Sequence, residues 1–218
     1  MKVTLIIPTL NEAEVIDKTL ALIPREHLDE IIVVDGHSTD NTVEIAQSLG
    51  CKTFLQPKSG YGNAVTYGVK KAKGDVLIFM DADGSQPPDA IPQLLAKINE
   101  GYEMVLGSRY LEGAGSHDDT AIRYIGNRFF TFLGNKLHNL NLSDALFLYA
   151  AIRKEAFKRI NPTSLNMEFC MEILIKARKK GIKIAEIPVK EPKRIAGKTK
   201  VNALYHGLRI LLWTLKRY

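Results

Sequence analysis

The chain has 218 residues, 45% hydrophobic and 25% charged, with a net charge of +6, which is an ordinary soluble composition and enough for one domain with a substantial core or one domain plus a small appendage. No run reaches the roughly 18 apolar residues needed to span a bilayer, the first apolar run is too short for a signal peptide and is broken by Pro8, and Cys51 and Cys170 have no metal-like spacing and read as reduced thiols of a cytosolic protein. The charge is uneven: residues 1–150 carry 13 Lys+Arg and 19 Asp+Glu, net −6, whereas residues 151–218 carry 17 and 5, net +12, so the last third is expected to meet something anionic.

In chain order, Val3–Ile7 is a β-branched run that predicts a strand, followed by a helix from a cap at Asn11-Glu12 to about Leu22. Glu30–Val34 predicts a second strand, and Thr39-Asp40-Asn41 caps a helix that closes at Gly50. Lys52–Leu55 is a short third strand, Tyr61–Lys73 a helix, and Asp75–Met80 a fourth strand. A helix is expected from Pro87-Pro88 to Gly101, then a strand at Met104–Leu106. Residues 120–140 read as helix, Leu146–Ile152 as strand, Glu168–Lys180 as an amphipathic helix, Ile182–Val189 as an edge strand and Asn202–Arg217 as a last amphipathic helix. Unbroken hydrophobic strands alternating with helices predict an α/β fold, a mostly parallel Rossmann-like sheet with helices on both faces.

Ligands on such sheets bind at the carboxyl ends of the strands. Asp81-Ala82-Asp83 follows the fourth strand. In an extended chain both carboxylates point to one side, as two hard oxygen ligands suited to Mg²⁺ or Mn²⁺ and substrate phosphates. A helix-capping role is the alternative. Asp35-Gly36 follows the second strand, where a carboxylate suits a ribose or base, and a turn plus helix cap also explains it. The pair Gly60 and Gly62 precedes a helix, as in anion-binding turns.

The ordered set I-P-T-x-N-E, V-V-D-G-x-S-x-D-x-T, G-Y-G-N-A, D-A-D-G-S-Q-P-P and G-S-R, with Glu168-Phe169 and the loop Arg194 to Lys200, resembles the inverting GT-A glycosyltransferases across nearly the whole chain. It looks closest to the dolichol-phosphate mannose synthase and polyprenyl-phosphate glucosyltransferase group. The resemblance implies a GT-A catalytic domain over 1–190, followed by a basic loop and amphipathic helix over 191–218. It implies transfer of a hexose from GDP-mannose or UDP-glucose to a polyprenyl (dolichyl) phosphate, with inversion and with Mg²⁺ or Mn²⁺. Pro8, Leu10, Glu12 and Asp35 would hold the nucleoside; Asp81, Ala82 and Asp83 would sit at the diphosphate; Arg109, Arg194 and Lys200 would bind phosphates. Asp81, Asp83 and Gln86 are the candidate metal ligands, with Asp81, Asp83 and Arg109 the candidate catalytic set. Ser143, Asp144 and Glu168 are the candidate acceptor residues. The chain departs from the family at Gly36, where a second carboxylate is common, at Ser85, where the mannose synthases carry Gln, and after Ser143-Asp144.

A lipid phosphate needs no strong base, because its second pKa near 6 leaves it a dianion at neutral pH. A hydroxyl acceptor would need one, for which Asp144 or Glu168 are the candidates. A nucleotidyltransferase of similar sheet plan and a nucleotide-sugar binder without turnover are further readings. Nucleic acid is not expected, since the basic third lacks aromatic-and-basic strand patterns and a helix-turn-helix. Leu204, Leu208, Leu211, Leu212 and Leu215 fall on one face of the last helix, which suits either a membrane interface or docking onto the core or a partner subunit. The expected place is therefore the cytoplasmic face of a membrane, peripherally held, with an oligomer through the last helix as the other use of that face.

Overall fold

The fold was obtained as a computed structural model, in which residues 1–195 and 203–216 are described. Strand β1 (Val3–Thr9) leads to helix α1 (Ile16–Ala21), β2 (Glu30–Asp35), α2 (Thr42–Ser48), β3 (Lys52–Leu55), α3 (Tyr61–Lys71), β4 (Val76–Phe79), α4 (Ile91–Asn99) and β5 (Met104–Ser108). A short strand β6 (Gly115–Ser116) precedes the long helix α5 (Ala121–His138). Then come β7 (Ala150–Arg153), α6 (Lys154–Ile160), α7 (Phe169–Lys179), β8 (Ile184–Pro188), β9 (Lys190–Glu191) and α8 (Ala203–Thr214).

Seven strands form one sheet in the order β3-β2-β1-β4-β7-β5-β8. All neighbours are parallel except β7, which runs antiparallel to both β4 and β5. This is the α/β, mostly parallel architecture expected from the sequence. Alternation along the strands feeds two cores. Ile6, Ile32, Leu77 and Phe79 face α3, α6, α7 and α8, whereas Leu5, Ile7, Val33 and Ile78 face α1, α2 and α4. No helix among the described residues is long and apolar enough to cross a membrane.

Several element boundaries differ from the sequence reading for local reasons. Asn11 does not cap α1: it has φ 51°, and its Oδ1 accepts from Thr39 N–H at 2.8 Å, so the helix starts only at Ile16. Pro87-Pro88 open a single 3₁₀ turn, Pro88–Ala90, before α4 begins at Ile91. The strand expected at Leu146–Ile152 pairs only over Ala150–Arg153. Helix α7 is not amphipathic in its first half, because Phe169 to Ile175 are all buried. It runs under the sheet as a core element.

Registers fix the site. Thr9 lies opposite Asp35, Asp35 opposite Leu55, and Ile6 opposite Phe79. The residues that follow β4 therefore run level with Pro8 to Leu10 on the carboxyl edge.

Candidate functional site

Two clefts open on that edge and meet. The first, about 320 Å³, is bounded by Pro8 near the end of β1, Leu10 and Glu12 after it, Gly36 after β2, Gln56 after β3, and Asp81, Ala82 and Asp83 after β4. Asn166, Met167, Arg194 and His206 close it from the other side. The second, about 210 Å³, lies between Arg109, Asp118, Arg123, Asn127 and Ile210. Asp81, Asp83, Met167 and Arg194 line both.

At the junction, Asp81 is held from several directions. Its N–H donates to Gln86 Oε1 at 2.9 Å, and Gln86 Nε2 donates back to its carboxylate at 3.2 Å. Burial, then repulsion from Asp83, pushes the Asp81 carboxyl up to about 7, against a hydrogen bond from the Tyr61 hydroxyl and the charge of Arg194. Asp83 accepts from Ser85 N–H at 3.0 Å and pairs with Arg194 Nη1 at 2.9 Å. Arg194 also reaches Asp118 at 3.8 Å. The chain after it covers the acidic loop: Ile195 N–H points to Asp83 O at 3.4 Å, and a Cβ on Gly84 would meet the Ile195 side chain at 2.6 Å. With φ at +76°, Gly84 suits glycine on both counts.

The turn before α3 is equally close to its neighbour. Gly60 has φ +123°, and a Cβ there would lie 2.2 Å from Leu165 O. That contact brings Tyr61 and Asn166 to the same wall. The loop carrying Asn166 is anchored below by Glu172, fully buried, which accepts from Thr163 N–H at 2.9 Å and Ser164 N–H at 2.7 Å and pairs with Lys176 at 2.5 Å.

Not every residue singled out from the sequence faces a cleft. Asp35 is 2% exposed and does not line the first cleft; its oxygens accept from Ser38 N–H at 2.9 Å, from the Ser38 hydroxyl and from Thr9 Oγ1 at 3.4 Å. Arg109 lines the second cleft, but its guanidinium fork is closed on Asp144 at 2.7 and 3.1 Å, with Glu191 at 3.5 Å and Asp119 at 3.6 Å, and it stacks 4.6 Å over Phe147. Burial would weaken this cation, and the Asp144 pair more than offsets it. Ser143 sits beneath, bonded to Glu186 at 2.8 Å and Ser108 at 2.6 Å. Glu168 is paired with Arg209 at 2.7 Å; burial raises its carboxyl, and Arg209 outweighs that and holds it below the usual range. Gln86 is 2% exposed and engages Asp81 at both ends. Lys200 lies outside the described residues.

Gln56, Asn166, His206, Arg123 and Asn127 line the clefts and were missed. The strand-end rule finds Gln56 once it is applied to β3 as well. The basic positions of 120–140 contained Arg123. Nothing local marks Asn166 or His206, which arrive by tertiary packing.

The divalent cation can be weighed against the donor set. Asp81 and Asp83 supply hard oxygens to both clefts, which suits Mg²⁺ or Mn²⁺. Among the described residues no group of three His, Cys, Asp or Glu is placed to hold a metal, so substrate phosphates and water would complete the shell.

The family model described as Glycosyl transferase family 2 matches residues 4–160. The dolichol-phosphate mannosyltransferase of Pyrococcus furiosus is 32% identical over 98% of this chain, which spans 64% of that protein's length. The dolichyl-phosphate hexose transferase of Haloferax volcanii is 33% identical over 93% of this chain and 87% of its own. Among solved structures, glucosyl-3-phosphoglycerate synthase from Mycobacterium tuberculosis, in complex with Mn²⁺, uridine-diphosphate and glucosyl-3-phosphoglycerate, superposes with a TM-score of 0.79 at 21% identity, covering 98% of this chain and 78% of that one.

Proposed function

The chain belongs to glycosyl transferase family 2, and we propose on that premise that it transfers a hexose from a nucleotide-sugar to a polyprenyl phosphate, with inversion and with Mg²⁺ or Mn²⁺. The observation that carries this reading is the pairing of two clefts through Asp81, Asp83 and Arg194, the second opening between α5 and α8. Those two helices display the apolar surface a lipid acceptor needs. Ile122, Ile125, Phe129 and Phe132 on α5 are 50–79% exposed, and Leu208, Leu212 and Leu215 along α8 and its end are 53–58% exposed. Arg128 and Lys136 on α5 and Lys216 after α8 are exposed on the same segments. Basic residues beside an apolar face suit an anionic bilayer. The names of the two relatives above, one a dolichol-phosphate and one a dolichyl-phosphate transferase, agree with a lipid phosphate.

The donor lies in the first cleft with its diphosphate at Asp81 and Asp83. A bound divalent cation supplies charge neutralisation at the departing diphosphate. Gln86 and Tyr61 orient Asp81 for it. Arg194, now on Asp83, is the cation placed to move onto a phosphate when donor and metal arrive; Lys200 is the second such candidate. The acceptor phosphate enters the second cleft near Arg123 and Arg194, which offset the repulsion between two anionic substrates. Arg109 acts from beneath, as the group that fixes Asp144 and Glu191. Asp144 and Glu168, the candidate bases for a hydroxyl acceptor, are both tied to arginines. A phosphate dianion needs no such base.

The test is incubation with a panel of labelled nucleotide-sugars, Mg²⁺ or Mn²⁺ and polyprenyl phosphate in detergent. Label in the lipid fraction is expected for one donor. Label that reaches only water, or that appears only when a water-soluble phosphorylated acceptor such as 3-phosphoglycerate is given in place of the lipid, contradicts the reading.

A further inference from the structure

Across β1 from Asp83, the first cleft ends on Thr9, Leu10, Gly36 and Gln56. If that cleft holds a nucleotide-sugar, as proposed above, this is where its base lies. The carboxylate of Asp35, just before Gly36, is turned into its own loop, and position 36 offers no side chain. Gln56 takes the space instead. A Cβ built on Gly36 would lie 3.1 Å from Gln56 Nε2 and 3.0 Å from Thr9 O, and Gln56 is only 5% exposed.

The orientation of this amide is set by its neighbours. Lys58 O, which only accepts, receives a hydrogen bond from Asn63 Nδ2 at 2.5 Å. The same nitrogen points to Gln56 Oε1 at 3.5 Å. The Gln56 oxygen therefore faces Asn63, and its NH₂ faces the Gly36 side of the cleft. A buried donor that meets no acceptor is costly, and a donor facing a donor is worse.

We propose that Gln56 selects the nucleobase: its amide N–H donates to the oxygen on C4 of a pyrimidine or C6 of a purine, so the site takes uracil or guanine over cytosine and adenine, which carry an amino group there. Uracil O4 and guanine O6 are acceptors, whereas cytosine and adenine carry amino donors at the corresponding positions. Asn63 is a positioning residue that turns the amide.

Binding of UDP, GDP, CDP and ADP to the full chain with Mg²⁺ is measured by calorimetry, for the parent, Gln56→Glu and the near-isosteric Gln56→Met, each checked by its thermal melt. UDP or GDP is expected to bind at least about tenfold more tightly than both CDP and ADP. Gln56→Met should lose that advantage by weakening UDP and GDP, and it should bind CDP and ADP no more weakly than the parent, since it removes the donor that faces their amino groups. Gln56→Glu, which offers acceptors, should invert it; the added charge weakens all four alike, so the ratio is read. The UDP and GDP arms tell which of the two bases is used. Equal binding of all four by the parent, or the parental order kept in both variants, overturns the proposal. No binding of any nucleotide by the parent overturns the nucleotide-sugar reading itself, and the proposal with it.

Discussion

Arg109 and Arg194 both stand beside the acidic edge, yet their surroundings separate their roles. Arg109 is buried among Asp144, Asp119 and Glu191. Removing it leaves three buried carboxylates uncompensated, and Arg109→Ala is expected to cost about 3–5 kcal/mol, read as a lower denaturation midpoint. Arg194 is partly exposed and pairs closely with Asp83, which a metal could hold instead, and more loosely with Asp118. Arg194→Ala should therefore change stability by less than about 1 kcal/mol while reducing transfer on the order of a hundredfold. Equal stability losses in the two variants would count against this division. The family resemblance offered both as phosphate-binding candidates. It could not show that one fork was already occupied, because Asp144 and Glu191 come from distant parts of the chain. The same holds for Asp35. Its place at the end of β2 was legible, but not the Ser38 and Thr9 bonds that turn it from the cleft.

Among the elements, the seven strands of the main sheet and their order of appearance were legible, because continuous apolar and β-branched runs leave little else for them to form, whereas the two-residue strands β6 and β9 carry no such run. Starts of helices were less so. Asn11 looked like a cap, but Thr39 claims its side chain from the next loop. Helix α7 looked amphipathic because Glu172 and Lys176 break its apolar run. In the fold, Glu172 is a buried anchor for the loop that carries Asn166. Burial raises the Glu172 carboxyl, but Lys176 and the Ser164 and Thr163 bonds outweigh it and hold it below its ordinary value. A carboxyl depressed in the folded state adds stability above its unfolded pKa and loses it as pH falls through the folded one. Glu172→Gln is therefore expected to cost about 2 kcal/mol at pH 7, with the difference from the parent shrinking below about pH 4.5. A difference that stays constant from pH 7 to pH 3.5 would remove the ionic part of that anchor.

For the whole molecule, the sequence left the last helix between a membrane, the core and a partner subunit, and the fold packs one side of it into the core. Ile210 and Trp213 pack into the core, and Leu208, Leu212 and Leu215 face outward. Helix α5 joins that outer face by tertiary packing against α8 and by a hydrogen bond between His138 Nε2 and Thr214 O at 2.7 Å. Such a joint surface is not visible in either helix pattern by itself. Phe132→Asp with Leu212→Asp should leave the melting temperature nearly unchanged, since both sites are exposed, and should lower sedimentation with anionic vesicles by at least about tenfold. A parent that ignores vesicles and forms a dimer instead would give the face to a second copy.

The junction of the two clefts at Asp83 is tested most directly by transfer itself. Labelled nucleotide-sugar, polyprenyl phosphate and Mg²⁺ are given to the parent and to Asp83→Asn, whose fold is verified by its melt. Label in the lipid fraction that depends on the cation and falls by at least about a hundredfold in the variant is the expected result. Label transferred equally by both proteins, or persisting in excess EDTA, would contradict it.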